Sequence, residues 1–460
     1  METITNTLRD SKAARWTALG VVAFTMLCGY YLTDVMAPLK PMLEKELHWN
    51  SAEYGIFTSA YGWFNVFLLM LIIGGIILDK MGVRFTGKMA TITMVIGTAI
   101  KYWAISTHSL DSMHLLGMRG QVFFAALGFA IFGVGVEVAG ITVSKIIVKW
   151  FKGKELALAM GLEMATARLG TALALSTSVP IAAAFGHVSA PILVCLIMLC
   201  IGLISFFIYT TMDKKLDKSI ADEAGRSGIV DEEESFKVSD IIKIVTNKGW
   251  WYLAILCVLF YSSVFPFLKY AADLMVNKFG VKAELAGSIP ALLPFGTILL
   301  TPLFGNLYDR KGKGATIMIL GSVLLIFVHA MFSIPFLKQT PVAIILIVIL
   351  GIGFSLVPSA MWPSVPKIIP ENQLGTAYAM IFWVQNWGLM GVPALIGWVL
   401  NKYCITGTHL LDGVQISSYN YTIPMIIFTG FGVLALVFAI LLKMEDKKKG
   451  YGLELPNIKH

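Results

Sequence analysis

The chain has 460 residues, 57% of them hydrophobic and only 14% charged, with a mean hydropathy of +0.76. A water-soluble globule needs more charge to cover its surface, so the composition excludes one and reads as an integral membrane protein whose partner is the lipid bilayer. The formal charge of +8 implies no nucleic-acid partner, because about 25 of the 36 lysines and arginines fall in the termini and alternate loops, as the positive-inside rule distributes them.

Largely apolar stretches of 18 or more residues read as membrane spans. Twelve occur, at about 16–38, 52–78, 84–106, 121–149, 154–184, 189–212, 249–275, 283–308, 315–336, 341–365, 372–401 and 421–443. The charge pattern places both termini and the loop 213–248 in the cytoplasm of a cell whose inner membrane holds the chain. Residues 1–15 form a polar N-terminal segment, and span 1 is too long and too late for a cleaved signal segment. It carries Tyr30, Tyr31 and Asp34 toward its outer end. Span 2 opens on Asn50, an N-cap, with Glu53 in the first turn. It closes on Gly75, Asp79, Lys80, Gly82 and Arg84.

Spans 4 and 5 form a hairpin around the basic turn Phe151, Lys152 and Gly153, and both carry charge into apolar surroundings: Glu137 and Lys145 on one arm, Glu163 and Arg168 on the other. A charge at membrane depth costs about 3 to about 10 kcal/mol, so each needs a reason. Counted at roughly 1.5 Å per residue from the turn, Glu137 and Arg168 both lie about 20 Å up their antiparallel helices. An acid and a base at matching depth either pair with each other or share a ligand that has one charge for each. Glu163 precedes Arg168 by roughly 140° of helix, so the two occupy different faces. Glu163 is expected either to pair with Lys145 or to serve as a proton or ligand site.

The loop 213–248 mixes both charges and reads as a solvated linker whose end, from Phe236 to Val245, has the apolar spacing of an interfacial helix. Span 8 closes on Gly305, Asp309, Arg310 and Gly312, repeating the pattern of Gly75, Asp79, Lys80 and Gly82 after 230 residues. A repeat of this kind marks a secondary transporter built from two related bundles, here 16–212 and 249–444, with 445–460 as a basic cytoplasmic tail. No phosphate-binding Gly-Lys loop and no His-Glu-x-x-His is present, and nothing pairs a nucleophile with a base, so no enzyme is expected. The five cysteines show no paired spacing and the seven histidines are scattered, so no disulfide framework, metal or cofactor is expected.

The doubled loop motif resembles the signature loop of the major facilitator superfamily, which implies an all-α membrane fold of twelve helices in two pseudo-symmetric six-helix bundles around a central cavity. In that family the loop acid braces a helix start in the other half, so Asp79 is expected near Glu371 and Asp309 near Lys154. A narrower resemblance, carried by Ser59 to Val66, Trp150 to Leu156, Ala167 to Gly170, Val264 to Phe267, Trp362-Pro363, Pro370 to Tyr378 and Gln385 to Leu389, is to the lysosomal dipeptide transporters of the superfamily and their bacterial relatives. The arginine usual in the outer part of helix 4 is replaced here by Phe129.

The resemblance implies movement of dipeptides or similar small zwitterions by alternating access, with or without protons, by a monomer. Glu137 would hold the amino end and Arg168 the carboxylate. Tyr30, Tyr61, Tyr261, Phe265, Trp362 and Trp383 would face the cavity, with Gln385 and Asn386 as polar contacts. Asp34 and Lys269 would meet as an outer gate between spans 1 and 7, and Asp273 holds a repeat-related position. Pro266, Pro363 and Pro393 are expected to break helices where motion is needed. The other transport reading is an organic-anion antiporter in which Arg168 and Lys145 bind the anion.

Overall fold

The computed structural model describes residues 8–110, 112–151, 155–227, 238–370, 373–411 and 413–457. α1 (Lys12–Asp34) begins on Ser11, whose hydroxyl accepts from the Ala14 N–H. A short α2 (Lys40–Leu47) leads to α3 (Ser51–Ser59), which opens on the expected Asn50: Asn50 and Glu53 each cap the other's backbone N–H, satisfying two donors that a bare helix start leaves open.

Span 2, expected to be continuous, is broken. After a 3-10 turn come α4 (Trp63–Phe67) and α5 (Met70–Ser106), with a 55° bend between them, where Leu69 takes a left-handed φ of 54°. The break frees the Val66 carbonyl, and the Trp383 indole N–H donates to it at 3.2 Å. A straight α5 would run about 55 Å, well past the roughly 30 Å hydrocarbon layer. It reverses instead at Gly82, whose φ of 74° and ψ of 172° end one pass and begin the next.

The remaining elements are a hairpin β1 (His114–Leu115) and β2 (Met118–Arg119), then α6 (Gly120–Phe151), α7 (Leu156–Phe185), α8 (Ala190–Ser227), α9 (Val238–Val245), α10 (Lys248–Phe279), α11 (Ala283–Ala286), α12 (Ser288–Lys311), α13 (Gly314–Ser333), α14 (Thr340–Ile368), α15 (Leu374–Tyr403), a second hairpin β3 (Ile405–Leu411) and β4 (Val414–Tyr419), and α16 (Thr422–Lys449). Among the described residues ten helices are long and apolar enough to cross a membrane unaided, and the bent α3–α5 run adds to them. With Gly82 dividing that run, the count is consistent with the twelve expected spans. Exposed Ile197, Ile201, Ile204 and Ile208 on α8, like Val433, Val437 and Ile440 on α16, form the helical stripes that meet lipid.

Three local expectations are corrected. The linker does not begin at 213, because α8 continues to Ser227, held by a cluster in which Asp213 and Asp217 pair with Arg84 and Lys149 at 2.5–3.5 Å and Tyr209 donates to Asp213 at 2.9 Å. Pro266, Pro363 and Pro393 all lie within uninterrupted helices. The segment after α16 is no free tail but packs onto the rest of the molecule.

Candidate functional site

Two close helix contacts set up the centre. A side-chain carbon at Gly170 would sit 2.3 Å from the Leu27 carbonyl, so only glycine lets α1 and α7 approach this closely. Arg168 and Tyr30, flanking that contact, are thereby brought together, with the guanidinium 5.9 Å from the Tyr30 ring centre. Gly133 does the same one turn before Glu137, where a side-chain carbon would lie 2.2 Å from the Tyr61 carbonyl. Tyr61 in turn donates to Glu137 Oε1 at 2.7 Å, and Asn386 of the other half approaches the same carboxylate.

Glu137 and Arg168 form no ion pair. Among the described residues the Arg168 guanidinium has no hydrogen bond and no carboxylate within ion-pair distance, although Glu163 feels its charge, and it is held by the faces of Tyr30, Phe265 (5.3 Å) and Phe354 (5.1 Å). Three rings give such a cation about 0.5–2 kcal/mol each, but they leave its planar fork of N–H donors unused. The Tyr30 hydroxyl feels the charges of Arg168, Glu137 and Glu163, so all three charged groups lie near this one tyrosine.

The second half supplies an aromatic wall. Tyr261 packs on Phe265 and Phe354 at 5.4 and 5.7 Å, Trp362 donates to the Tyr261 hydroxyl at 3.1 Å, and Phe382 stacks on Trp362 at 5.0 Å. Tyr378 closes the wall by donating to the Trp362 carbonyl at 3.1 Å. Tyr30 and Phe265 thus meet at Arg168, Tyr261 and Trp362 continue the ring contacts from Phe265, Tyr61 lies on Glu137, and Gln385 and Asn386 are buried on α15. Trp383 turns away to the α4–α5 break. Phe354 and Phe382 were not anticipated; Phe354 follows Gly351 and Gly353 on α14, a small-residue run in an apolar span that marks a close approach.

Lys145 bonds Asp79 at 3.3 Å rather than Glu163. The pairing with Lys145, one of the two readings of Glu163, fails because Asp79, at the end of its pass, lies beside α6, the helix that carries Lys145. Asp79 was expected to reach the other half near Glu371, and Asp309 to lie near Lys154; Glu371 and Lys154 are outside the described residues. Asp309 is bonded by Asn457. Lys80 and Arg310 are exposed, Gly75 and Gly305 face open space, and Gly82 and Gly312 both have positive φ, as a tight reversal requires.

The face opposite the termini is shut. Lys269 donates to Asp34 Oδ1 at 2.6 Å and to the Thr33 carbonyl, while Thr171 donates to Asp34 Oδ2 at 2.8 Å. One turn along α10, Asp273 pairs with Lys40 of α2 at 3.0 Å, receives the Tyr421 hydroxyl, and lies beside Tyr419, whose ring is 4.2 Å from the Lys40 ammonium. Tyr419 also donates to Glu44 at 3.2 Å. This Lys40 pair was missed because Lys40 lies outside every apolar stretch. Among the described residues, the hydrogen bonds and ion pairs joining the halves lie at this face or, for Trp383 to Val66 and Asn386 toward Glu137, at mid-membrane.

The profile of the Major Facilitator Superfamily matches residues 20–393. The chain belongs to the major facilitator superfamily. It is 26% identical over 400 residues to the lysosomal dipeptide transporter MFSD1 of Mus musculus, covering 85% of this chain and 81% of that protein. It is also 23% identical over 446 residues to the probable sulfoacetate transporter SauU of Cupriavidus necator, covering 94% of this chain and 96% of that one. Among solved structures, a bacterial homologue of the human lysosomal transporter Spinster, inward-facing and unoccupied, superposes with a TM-score of 0.70 at 14% identity, over 95% of this chain and 98% of the other. This member of the superfamily is thus a multi-pass membrane transporter, shut at the face opposite its termini.

Proposed function

We propose that this transporter moves dipeptides or similarly small zwitterions, with Glu137 receiving the ammonium end and Arg168 the carboxylate. The observation that carries the reading is the guanidinium of Arg168, caged by three rings and, among the described residues, holding neither a hydrogen bond nor a salt bridge. A lone charge at this depth is costly, and a ligand carboxylate would restore the bidentate bonds it lacks. The dipeptide transporters among its relatives support this substrate class. Under the positive-inside rule the termini lie in the cytoplasm of a bacterial inner membrane, so the shut face is external and the cavity opens inward.

The sulfoacetate transporter among the relatives favours a second reading, a small organic anion bound by Arg168. Lys145, the second cation this reading wants, is engaged by Asp79, which weighs against it. A thermal-shift screen separates the two, since a ligand at one hundred times its Kd stabilises by about 2.7 kcal/mol. Dipeptides should raise the melting temperature, simple dicarboxylates should not, and Glu137→Gln or Arg168→Gln should each abolish the shift in folded protein. Dipeptide transport that survives Glu137→Gln together with Arg168→Gln would overturn the assignment.

A further inference from the structure

The two signature loops differ in what covers them. At Gly82 nothing lies within 4 Å of where a side-chain carbon would be. At Gly312 that position is 2.4 Å from the Glu454 carbonyl, because residues 450–457 run back across the α12–α13 loop. The contact is extensive. The Lys313 and Gly314 N–H groups donate to the Glu454 and Leu453 carbonyls at 3.0 and 2.9 Å, and Thr316 gives its N–H and hydroxyl to the Glu454 carboxylate at 2.9 and 2.8 Å.

α13 has no cap of its own, its N-cap position being Lys313 in a left-handed conformation. Glu454 therefore supplies from a distance the acceptors and the negative charge that a helix start requires. Lys367, at the end of α14, donates to the Gly452 and Leu455 carbonyls at 3.0 and 2.9 Å, the Leu453 N–H is held by Asp446 at 3.1 Å, and the Leu453 side chain is fully buried. Asn457 completes the strap, bonding the Asp309 carboxylate through its amide at 2.7 Å and the Asp309 carbonyl through its N–H at 3.0 Å.

Asp309 is the acid of the loop motif, and the Asn457 bonds to its carboxylate and carbonyl hold it to its own half, in competition with any helix start in the other. We propose that residues 450–457 are a conformational latch: by holding Asp309 and the α12–α13 loop to the second half, they favour the state open at the terminal face. Release of the latch lets the halves close there. The inference rests on the alternating-access reading but on no particular substrate.

The test uses the full chain with Cys200→Ser, spin-labelled at Lys214→Cys on α8 and Met444→Cys on α16, exposed sites at the terminal ends of the two halves. Pulsed-EPR distances without ligand should show one long separation in the parent. A shorter population should appear on deleting residues 450–460, and a smaller one with Asn457→Ala. A charge-assisted hydrogen bond predicts roughly a tenfold shift in the ratio for Asn457→Ala. Should the deletion fail to fold, Asn457→Ala and Glu454→Gln decide. Adding Asp309→Asn should remove the effect of Asn457→Ala, which general loosening would not do. Folded variants that keep the parent distance distribution would overturn the latch. Because no substrate enters the measurement, a failed dipeptide assay leaves the result standing.

Discussion

Asp34→Asn tests the closed face most directly. The carboxylate takes the Lys269 ammonium at 2.6 Å and the Thr171 hydroxyl at 2.8 Å, and the two charged side chains are only 4% and 11% exposed. Breaking a buried ion pair by removing one member costs about 3–5 kcal/mol, because the other charge is stranded. Here the loss is smaller: Lys269 keeps the Thr33 carbonyl, the amide oxygen keeps part of the dipole, and Lys40 with Asp273 still joins the halves. About 2 kcal/mol remains, charged only to the state closed at this face, since in the open state both groups meet water. At about 1.4 kcal/mol per decade the closed-to-open ratio falls roughly thirtyfold. Labelling of an engineered cysteine in the cavity by an impermeant reagent added at the face opposite the termini reads that ratio. Labelling at the parent rate in folded Asp34→Asn protein would refute the argument, and with it the role of the pair as a gate.

Lys40→Met should act in the same direction, and because its partner lies one helical turn from Lys269 the two effects need not add; the same labelling measures both. Tyr61→Phe removes a hydrogen bond to a carboxylate worth about 1.5–3 kcal/mol, so dipeptide affinity in the thermal-shift titration should fall at least tenfold while the fold survives. Phe354→Leu keeps the bulk but loses a ring from the Arg168 cage, and at about 1 kcal/mol for a cation over a ring it should weaken carboxylate ligands about fivefold. Gly170→Ala forces α1 from α7 at a cost of about 1–3 kcal/mol, lowering the melting temperature and dipeptide affinity together.

Length, hydropathy and charge placement determined the membrane class and a count of passes with which the structure is consistent, because lipid imposes a span length and a sign of flanking charge that local sequence must obey. The repeated glycine and aspartate loop revealed the two halves, since the reversals at Gly82 (φ 74°, ψ 172°) and Gly312 (φ 69°, ψ −135°) combine a positive φ with a ψ far from the left-handed helix, which glycine alone adopts readily. Glu137 and Arg168 stood out because charges are rare in apolar stretches, and the Asp34–Lys269 contact, which the family resemblance implied, is present at 2.6 Å. What lay beyond reach depended on neighbours remote in sequence. The helix break at Leu69, the Lys40–Asp273 pair, the rings of Phe354 and Phe382, and the strap of Glu454 and Asn457 on the second loop carry no local signal. Each is decided by which surfaces the packed helices bring within a few ångströms, and only the tertiary structure decides that.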